Sequence, residues 1–389
     1  MEERLKFVAD CLSQEFSMAE VCRRYGVSRK TGYKWLERYH EGGLDGLKER
    51  SRAPKLHPNA VDLKTEAAVV AFKHTHMLWG PAKIGVKLRE RHPGRPWPAS
   101  STIGDILDRH GLVIKRKKRN RATPSTQPLA HCANPNDVWC VDFKGWFRTG
   151  DGTRCDPLTI SDGATRFLLR CVGMSGGTGF TQVKPLFEAA FREFGLPKAI
   201  RSDNGPPFAS LGLAGLSKLS VWWIRLGIRP ERIRPGKPQD NGRHERMHRT
   251  LKAATAHPPK RSLRSQQRAF NAFMAEYNHE RPHEALGQRP PGAFYRESES
   301  AFPSTRIPIV DYDPEYVVRK VKSSGQIKWQ GRDVRITDAL TGEHVGFAPV
   351  GDGLWKLYFI DIPLGTFDER TLKVKPLPKP KKKDRAQKK

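Results

Sequence analysis

The stretch that most restricts the fold runs from Pro235 to Thr255. Pro235-Gly236-Lys237-Pro238 interrupts regular structure, and after it only Gly242 disfavours a helix as far as Thr255. A helix is therefore expected from about Gln239 onward, with Asn241, Glu245, Arg249 and Lys252 sharing one face at spacings of four, four and three. That face sets one acid among bases. By itself the pattern describes an ordinary solvated helix laced with i,i+4 pairs.

Two further acids change its meaning. Asp142 interrupts the apolar, β-branched and aromatic run Asp137-Val-Trp-Cys-Val-Asp-Phe-Lys-Gly-Trp-Phe147, which reads as a strand. A lone buried carboxylate is costly unless it is paired or binds metal. Asp203 closes the short strand Ala199-Ile-Arg-Ser in an Asp-Asn-Gly turn, a place where Asp also serves turn chemistry alone. One divalent-cation site would account for all three acids, because Mg²⁺ takes hard oxygen donors together with substrate phosphate. Such ions activate an attacking oxygen and stabilise a leaving one in phosphoryl displacement.

Four segments also resemble a known family. Trp139-Cys-Val-Asp-Phe-Lys-Gly145, Ile200-Arg-Ser-Asp-Asn-Gly-Pro-Pro-Phe208, Asn241-Gly-Arg-His-Glu-Arg-Met-His-Arg-Thr-Leu-Lys252 and Tyr277-Asn-His-Glu-Arg-Pro-His-Glu-Ala-Leu-Gly287 are similar to bacterial insertion-sequence transposases with a retroviral-integrase-type catalytic core. The likeness is close from about Asn134 to Glu297. It implies a ribonuclease-H-like fold and a D,D,E triad matching Asp142, Asp203 and Glu245 as catalytic and metal-binding residues, with Mg²⁺ as cofactor and Mn²⁺ able to substitute. Forty-one residues separate Asp203 from Glu245, where most relatives have about thirty-five. The surplus is expected in the glycine-rich Ala209–Ser217, which leaves both acids on their elements. The resemblance also assigns Glu280-Arg-Pro-His-Glu284 to bracing the core. The first 130 residues lack the His/Cys zinc spacing of many integrases, so no structural zinc is expected.

The net charge of +29 and pI near 10.1 point to a polyanionic partner, nucleic acid before membrane. The Lys373–Lys389 tail has nine Lys or Arg against one Asp, so +21 of the charge lies elsewhere. Six cysteines without a C-x-x-C, a charged N-terminus and no long apolar run suggest a reduced, cytoplasmic, nucleoid-associated protein.

The expected organisation is multidomain: all-α helix-turn-helix modules, a central α/β integrase core and a small C-terminal β-barrel. The boundaries read as a helix-turn-helix domain over 1–50, a second helical module over 59–121, a linker over 122–135, the catalytic core over 136–300, the barrel over 305–376 and a basic disordered tail over 377–389. In the first module Leu5, Val8, Ala9 and Leu12 give an apolar face, Ser17 and Ser28 can cap the next helices, and Gly26 makes the turn. Arg29, Lys30, Thr31 and Lys34 then lie near the start of the recognition helix, where DNA is reached, while Tyr33 and Trp35 are assigned to packing. The second module needs a helix over Ala67–Phe72, one started by Pro81 and one capped by Ser100. His74 and His76 read as surface residues. Lys115-Arg-Lys-Lys-Arg-Asn-Arg121 reads as a basic linker able to track phosphates.

On the triad helix, Arg249 and Lys252 are placed to hold DNA backbone, and His248 either approaches a phosphate or packs. Asp162 reads as a turn residue. Strands at Tyr316–Val321, Ile327–Trp329, Val334–Ile336, His344–Val350 and Leu354–Ile360 suit a small barrel. Together these features read as a DNA transposase that binds the terminal repeats of its own element, self-associates on double-stranded DNA and carries out metal-dependent 3′-end cleavage and strand transfer. A DNA-binding regulator derived from a transposase, or a hydrolytic ribonuclease-H-like nuclease, are the alternatives.

Overall fold

The computed structural model describes residues 2–49, 60–113, 131–234, 242–304, 307 and 311–377. The expected linker at 51–58, the basic run at 115–121, most of the 122–135 linker, Pro235–Pro238, the helix start at Gln239–Asn241 and the tail at 379–389 lie outside those residues. The chain divides into two compact units, Met1–Asp62 and Leu63–Lys389. No helix among the described residues is long and apolar enough to cross a membrane.

The first unit has three helices, α1 (Glu2–Leu12), α2 (Met18–Arg24) and α3 (Arg29–Gly46). Ser17 and Glu20 form a capping box on α2, Gly26 turns the chain at φ 63°, and the Ser28 side chain accepts from the Thr31 amide to start α3. Tight packing at the α2–α3 crossing explains Gly32: a Cβ there would lie 2.7 Å from Cys22 Sγ and 2.8 Å from Phe7 Cζ. The buried stripe of α1 is Phe7 and Val8, with Cys11 packed against it. Leu5 and Leu12 are exposed at 40% and 46%, so the expected face is turned toward the aromatic Phe7, which meets Tyr25 and Trp35 edge-on.

The second unit opens with α4 (Leu63–Thr75), α5 (Pro81–Arg91) and α6 (Ser100–Arg109), closed over Val69, Phe72, Ile84, Leu88, Ile103, Ile106 and Leu107. Pro81 is the first helical residue of α5, as its fixed φ favours. Ser100 does not cap α6: Ala99 holds the cap position and no side-chain cap bond forms. His76 is also not a surface residue. Its ring stacks on Trp79 at 4.1 Å, and Trp79 Nε1 donates to Glu276 at 2.7 Å, tying this module to the segment after α10 (Leu263–Ala275).

The core sheet contains β1 (Val138–Phe143), the short β2 (Phe147–Arg148), β3 (Arg154–Asp162), β4 (Leu168–Met174), β5 (Ala199–Ser202) and β6 (Arg229–Arg232). β4, β3 and β1 run antiparallel as a meander, and β5 and β6 add in parallel beyond β1. The crossovers are α7 (Phe180–Phe194) and α8 (Lys218–Arg225), whose Phe187, Phe191 and Trp223 pack on Trp139, Leu158 and Ile200. On the other face lie α9 (Gly242–Thr255) and α10, joined to the sheet through Met247, Leu251, Phe270 and Phe273. β3 is buried along nearly its whole length, as expected for a strand covered on both faces.

The surplus residues between Asp203 and Glu245 have a structural use. Leu213 and Leu216 of the 209–217 loop join Val221 and Ile224 of α8 in one apolar cluster with Val345, Phe347, Leu357 and Phe367 of the C-terminal region. That region is β7 (Val317–Lys320), β8 (Gln326–Trp329), β9 (Arg332–Arg335), β10 (His344–Gly351), β11 (Leu354–Phe359), β12 (Ile362–Asp368) and β13 (Lys373–Pro376). It forms a five-stranded antiparallel sheet, β13-β12-β11-β10-β7, and a separate β8–β9 hairpin. The hairpin lies beside β7 and β13 and shares their core, without ladder pairing to either among the described residues. The strands thus make two antiparallel sheets over one core, and strand pairing alone does not close a barrel.

Candidate active site

Strand register brings two of the three acids side by side. β1 and β5 are parallel with Trp139 opposite Ile200 and Cys140 opposite Arg201. Carrying that register two residues further sets Asp142 opposite Asp203 at the ends of neighbouring strands, which lie about 4.8 Å apart. Glu245 comes from the first turn of α9, where the positive end of the helix dipole favours an acid. Its side chain is exposed, and those of Asp142 and Asp203 are partly so.

The Asp142 carboxyl is pushed up to about 7, first by burial, then by the Asp203 carboxylate and more weakly by Glu245, against the Phe143 amide and Lys144. All three donors are hard oxygens, and a divalent cation would offset their repulsion, so the residue types fit an ion such as Mg²⁺. Among the described residues, no three His, Cys, Asp or Glu approach closely enough to form a ligand set.

Behind Asp142 sits a polar cluster that the sequence reading missed. Thr159 faces Asp142 across the β1–β3 ladder and is fully buried. Its hydroxyl donates to the Asp142 carbonyl at 3.1 Å and meets His244 Nε2 at 2.7 Å and His248 Nε2 at 2.6 Å. Ser161 Oγ meets His244 Nδ1 at 2.9 Å. With both Nε2 atoms protonated the donors and acceptors match, and α9 is fastened to β3 through two neutral imidazoles.

Burial drives His244 down to about 3 and His248 to about 2. The 3.7 Å approach of His248 Nδ1 to Asp142 Oδ2 is therefore not an ion pair. His248, 4% exposed, packs, and the reading of it as a phosphate contact gives way to this clamp. The signal was present in the sequence: His244, Met247, His248 and Leu251 recur at i, i+3, i+4 and i+7 on the face opposite the charged one.

Arg249 and Lys252 are exposed on α9 beyond Glu245. In the first unit Arg29, Lys30 and Lys34 are exposed at the start of α3, and Thr31 is partly covered, its hydroxyl 2.9 Å from Ser28 Oγ. Trp35 packs against the small core, but Tyr33 is 58% exposed and does not. Asp162 is a turn residue in detail: its Oδ1 accepts from the Asn136 amide at 2.8 Å, and its Oδ2 from the Thr165 amide and hydroxyl at 2.7 Å.

Comparison with known proteins bears on the same regions. The "Integrase core domain" family matches residues 133–238 and again 226–291, a "Helix-turn-helix domain" matches 3–55, and a "Homeodomain-like domain" matches 31–107. The chain is thus an integrase core carried with helix-turn-helix domains. The "IS481 family transposase, C-terminal domain" matches residues 316–375. An uncharacterized 39.2 kDa protein of insertion element IS476 from Xanthomonas euvesicatoria is 28% identical over 75% of this chain and 82% of its own length. An uncharacterized 31.7 kDa protein of insertion element IS407 from Burkholderia multivorans is 31% identical over 47% of this chain and 64% of its own. The chain thus combines an integrase core with an IS481-type transposase C-terminal domain, and it is similar to proteins of bacterial insertion elements.

The catalytic core domain of HTLV-2 integrase in complex with magnesium overlaps 42% of this chain and 99% of its own at 15% identity and a TM-score of 0.33, too loosely to bear on the site.

Proposed function

We propose that this protein is a transposase that binds the terminal repeats of its own element, cleaves their 3′ ends and joins them to target DNA, with Asp142, Asp203 and Glu245 as its catalytic acids. The observation that carries this reading is that the three acids come from separate elements of an integrase core, Asp142 and Asp203 at the ends of the paired strands β1 and β5 and Glu245 in the first turn of α9. The three carboxylates would hold Mg²⁺, or Mn²⁺ in its place, and the ion would activate the attacking oxygen and stabilise the leaving one. In the first step a water oxygen bonds to the phosphorus at the element's end and the bond from that phosphorus to the element's own 3′-oxygen breaks, leaving a 3′-hydroxyl on the element and a 5′-phosphate on the flanking strand. In the second, that hydroxyl attacks a target phosphodiester and a target 3′-oxygen leaves, so no covalent protein intermediate forms.

The rest of the chain positions DNA around that chemistry. Arg29, Lys30, Thr31 and Lys34 would meet the terminal repeat, and Arg249 and Lys252 would hold backbone beside Glu245. The Thr159–His244–His248 clamp sets the height of α9 relative to Asp142. The C-terminal sheet and hairpin would act together as a small closed barrel. Two ends are joined in one event, so the active form is a multimer on DNA, working in the bacterial cytoplasm at the nucleoid.

The test is strand transfer with purified protein, a labelled duplex from the DNA flanking its gene, plasmid target and Mg²⁺. Joined product from wild type and none from Glu245→Gln supports the reading. Sequence-specific binding with no cleavage points to a regulator, and cleavage with no joining to a hydrolytic nuclease.

A further inference from the structure

A second cluster of charge lies where α5 meets the core, and neither the acids nor their clamp uses it. Lys83, in the first turn of α5, donates to the Pro282 carbonyl, on the backbone that joins Arg281 to His283. Arg166 enters from the β3–β4 turn, held at a left-handed φ of 68°. Arg166 and Arg281 are both half-buried, yet neither guanidinium has a side-chain hydrogen bond or ion pair among the described residues. His283 is 8% exposed, its ring edge-on to Tyr277 at 4.7 Å, and its Nε2 is buried without a partner. Its other nitrogen donates to the Tyr277 carbonyl.

Each of these groups feels the others. Burial first, then Arg281 and more weakly Arg166, push Lys83 down to about 8 against the Glu284 carboxylate, and burial followed by Lys83, Arg281 and Arg166 pushes His283 down to about 3. Two acids are near. Glu276 is engaged by Trp79 Nε1, and Glu284 is exposed, so neither closes the cluster. Arg166 is also repelled by Arg243 and Arg246, which flank Glu245 on the first turn of α9. The positive charge therefore runs continuously from α5 to the helix that carries Glu245. Holding cations together, desolvated and without an ion pair among the described residues, is unfavourable in the free protein. A bound anion would relieve it, and forked guanidiniums beside an ammonium match the oxygens of a phosphate.

We propose that Lys83, Arg166 and Arg281, packed beside the neutral His283 ring, form a binding site for a backbone phosphate of duplex DNA, seated between the α4–α6 module and the α9 acids. The site holds the strand on its way from the module to the point of cleavage, so it rests on the transposase reading above. It also gives the Glu280–Glu284 segment, expected to brace the core, a role in binding.

The test uses full-length wild type, Lys83→Gln, Arg166→Gln and the double variant, titrated with a labelled duplex from the flanking DNA and with a mixed-sequence duplex across a salt series. The double variant should bind on the order of tenfold more weakly, since bonds to charged groups carry that much. Its dependence of log affinity on log salt should be shallower by about one to two. Its melting temperature should match or exceed that of wild type, because like charges have been removed; a purely bracing cluster would melt earlier. Arg166→Lys should recover part of the affinity.

Unchanged affinity and slope in folded variants overturn the proposal, as does a lower melting temperature with DNA binding intact. Pyrophosphate that stabilises wild type but not the double variant, with no change in DNA slope, would reassign the site to a free phosphate. Strand transfer run on the same preparations separates the two claims: a wild type that joins ends beside a variant of unchanged slope sinks only this site. A wild type whose slope responds but which never cleaves sinks only the transposase reading, and a wild type that binds no duplex sinks both.

Discussion

Replacing Thr159 with Val keeps the side chain's shape and removes the hydroxyl that fastens α9 to β3. In the wild type that oxygen lies 2.7 and 2.6 Å from the Nε2 atoms of His244 and His248, and 3.1 Å from the Asp142 carbonyl. The residue is fully buried and both rings are nearly so, and neither Nε2 has another partner among the described residues. Each stranded buried group costs about 1–3 kcal/mol, so two imidazoles together cost roughly 2–5 kcal/mol after some relaxation. For the folding unit Leu63–Lys389 that corresponds to a melting temperature lower by roughly 3–7 °C.

Scanning calorimetry of the full chain reads this directly, with Thr159→Ser as the control that keeps the hydroxyl and gives up one methyl group, for a loss of about 1 kcal/mol. Glu245 follows His244 directly, so strand transfer measured well below the melting range should also fall in the Val variant. A Thr159→Val protein that melts within about a degree of wild type would show that the clamp does not hold α9.

Three other outcomes follow from the same structure. His244, His248 and His283 titrate near 3, 2 and 3 in the folded protein because they are buried. The unfolded chain binds those protons near pH 6.5, so their contribution is complete above that pH and is lost as pH falls toward 3, by about 1.4 kcal/mol per unit for each ring. Denaturant midpoints that stay flat from pH 7 to about 4.5 would contradict this. Gly195 ends α7 at φ 75°, and a Cβ there would lie 2.7 Å from the Ser298 carbonyl oxygen and 2.9 Å from that of Ser300. Gly195→Ala should therefore cost about 2–4 kcal/mol in urea unfolding, and a near-neutral result would mean that the 298–300 segment moves aside. Arg29→Ala with Lys34→Ala should reduce the salt slope of DNA binding by about two without shifting the melting temperature, and an unchanged slope would remove α3 from the interface.

What the sequence disclosed, and what it did not, divides along physical lines. Local signals with one solution were legible: Ser17 with Glu20, Ser28, Gly26 and Pro81 each determine a cap, turn or helix start from a few neighbouring atoms. The register that sets Asp142 opposite Asp203 is non-local, but the chemistry of the two strand ends pointed to it. Ser100 misled because the preceding Ala99 already takes the extended cap conformation.

Other features needed tertiary context. Thr159 and Ser161 sit in a strand covered on both faces, where alternation gives no cue to which polar residue has a partner. His76 looked exposed because its cover, Trp79 held by Glu276, comes partly from a segment 200 residues away. β12 carries Pro363 and Gly365, and the edge strand β13 is basic with Pro376, so neither shows strand propensity. The longer spacing between Asp203 and Glu245 became intelligible only once Leu213 and Leu216 were seen seating the C-terminal sheet.

The central claim is that Asp142, Asp203 and Glu245 act as one site on DNA. The most direct measurement is single-turnover 3′-end cleavage in Mg²⁺ by Asp142→Asn, Asp203→Asn and Glu245→Gln, each variant checked for folding and duplex binding beside wild type. The account predicts cleavage by wild type and its loss in all three variants, with affinity for the duplex retained. Cleavage at the wild-type rate by any one of them would take that residue out of the site and contradict the account.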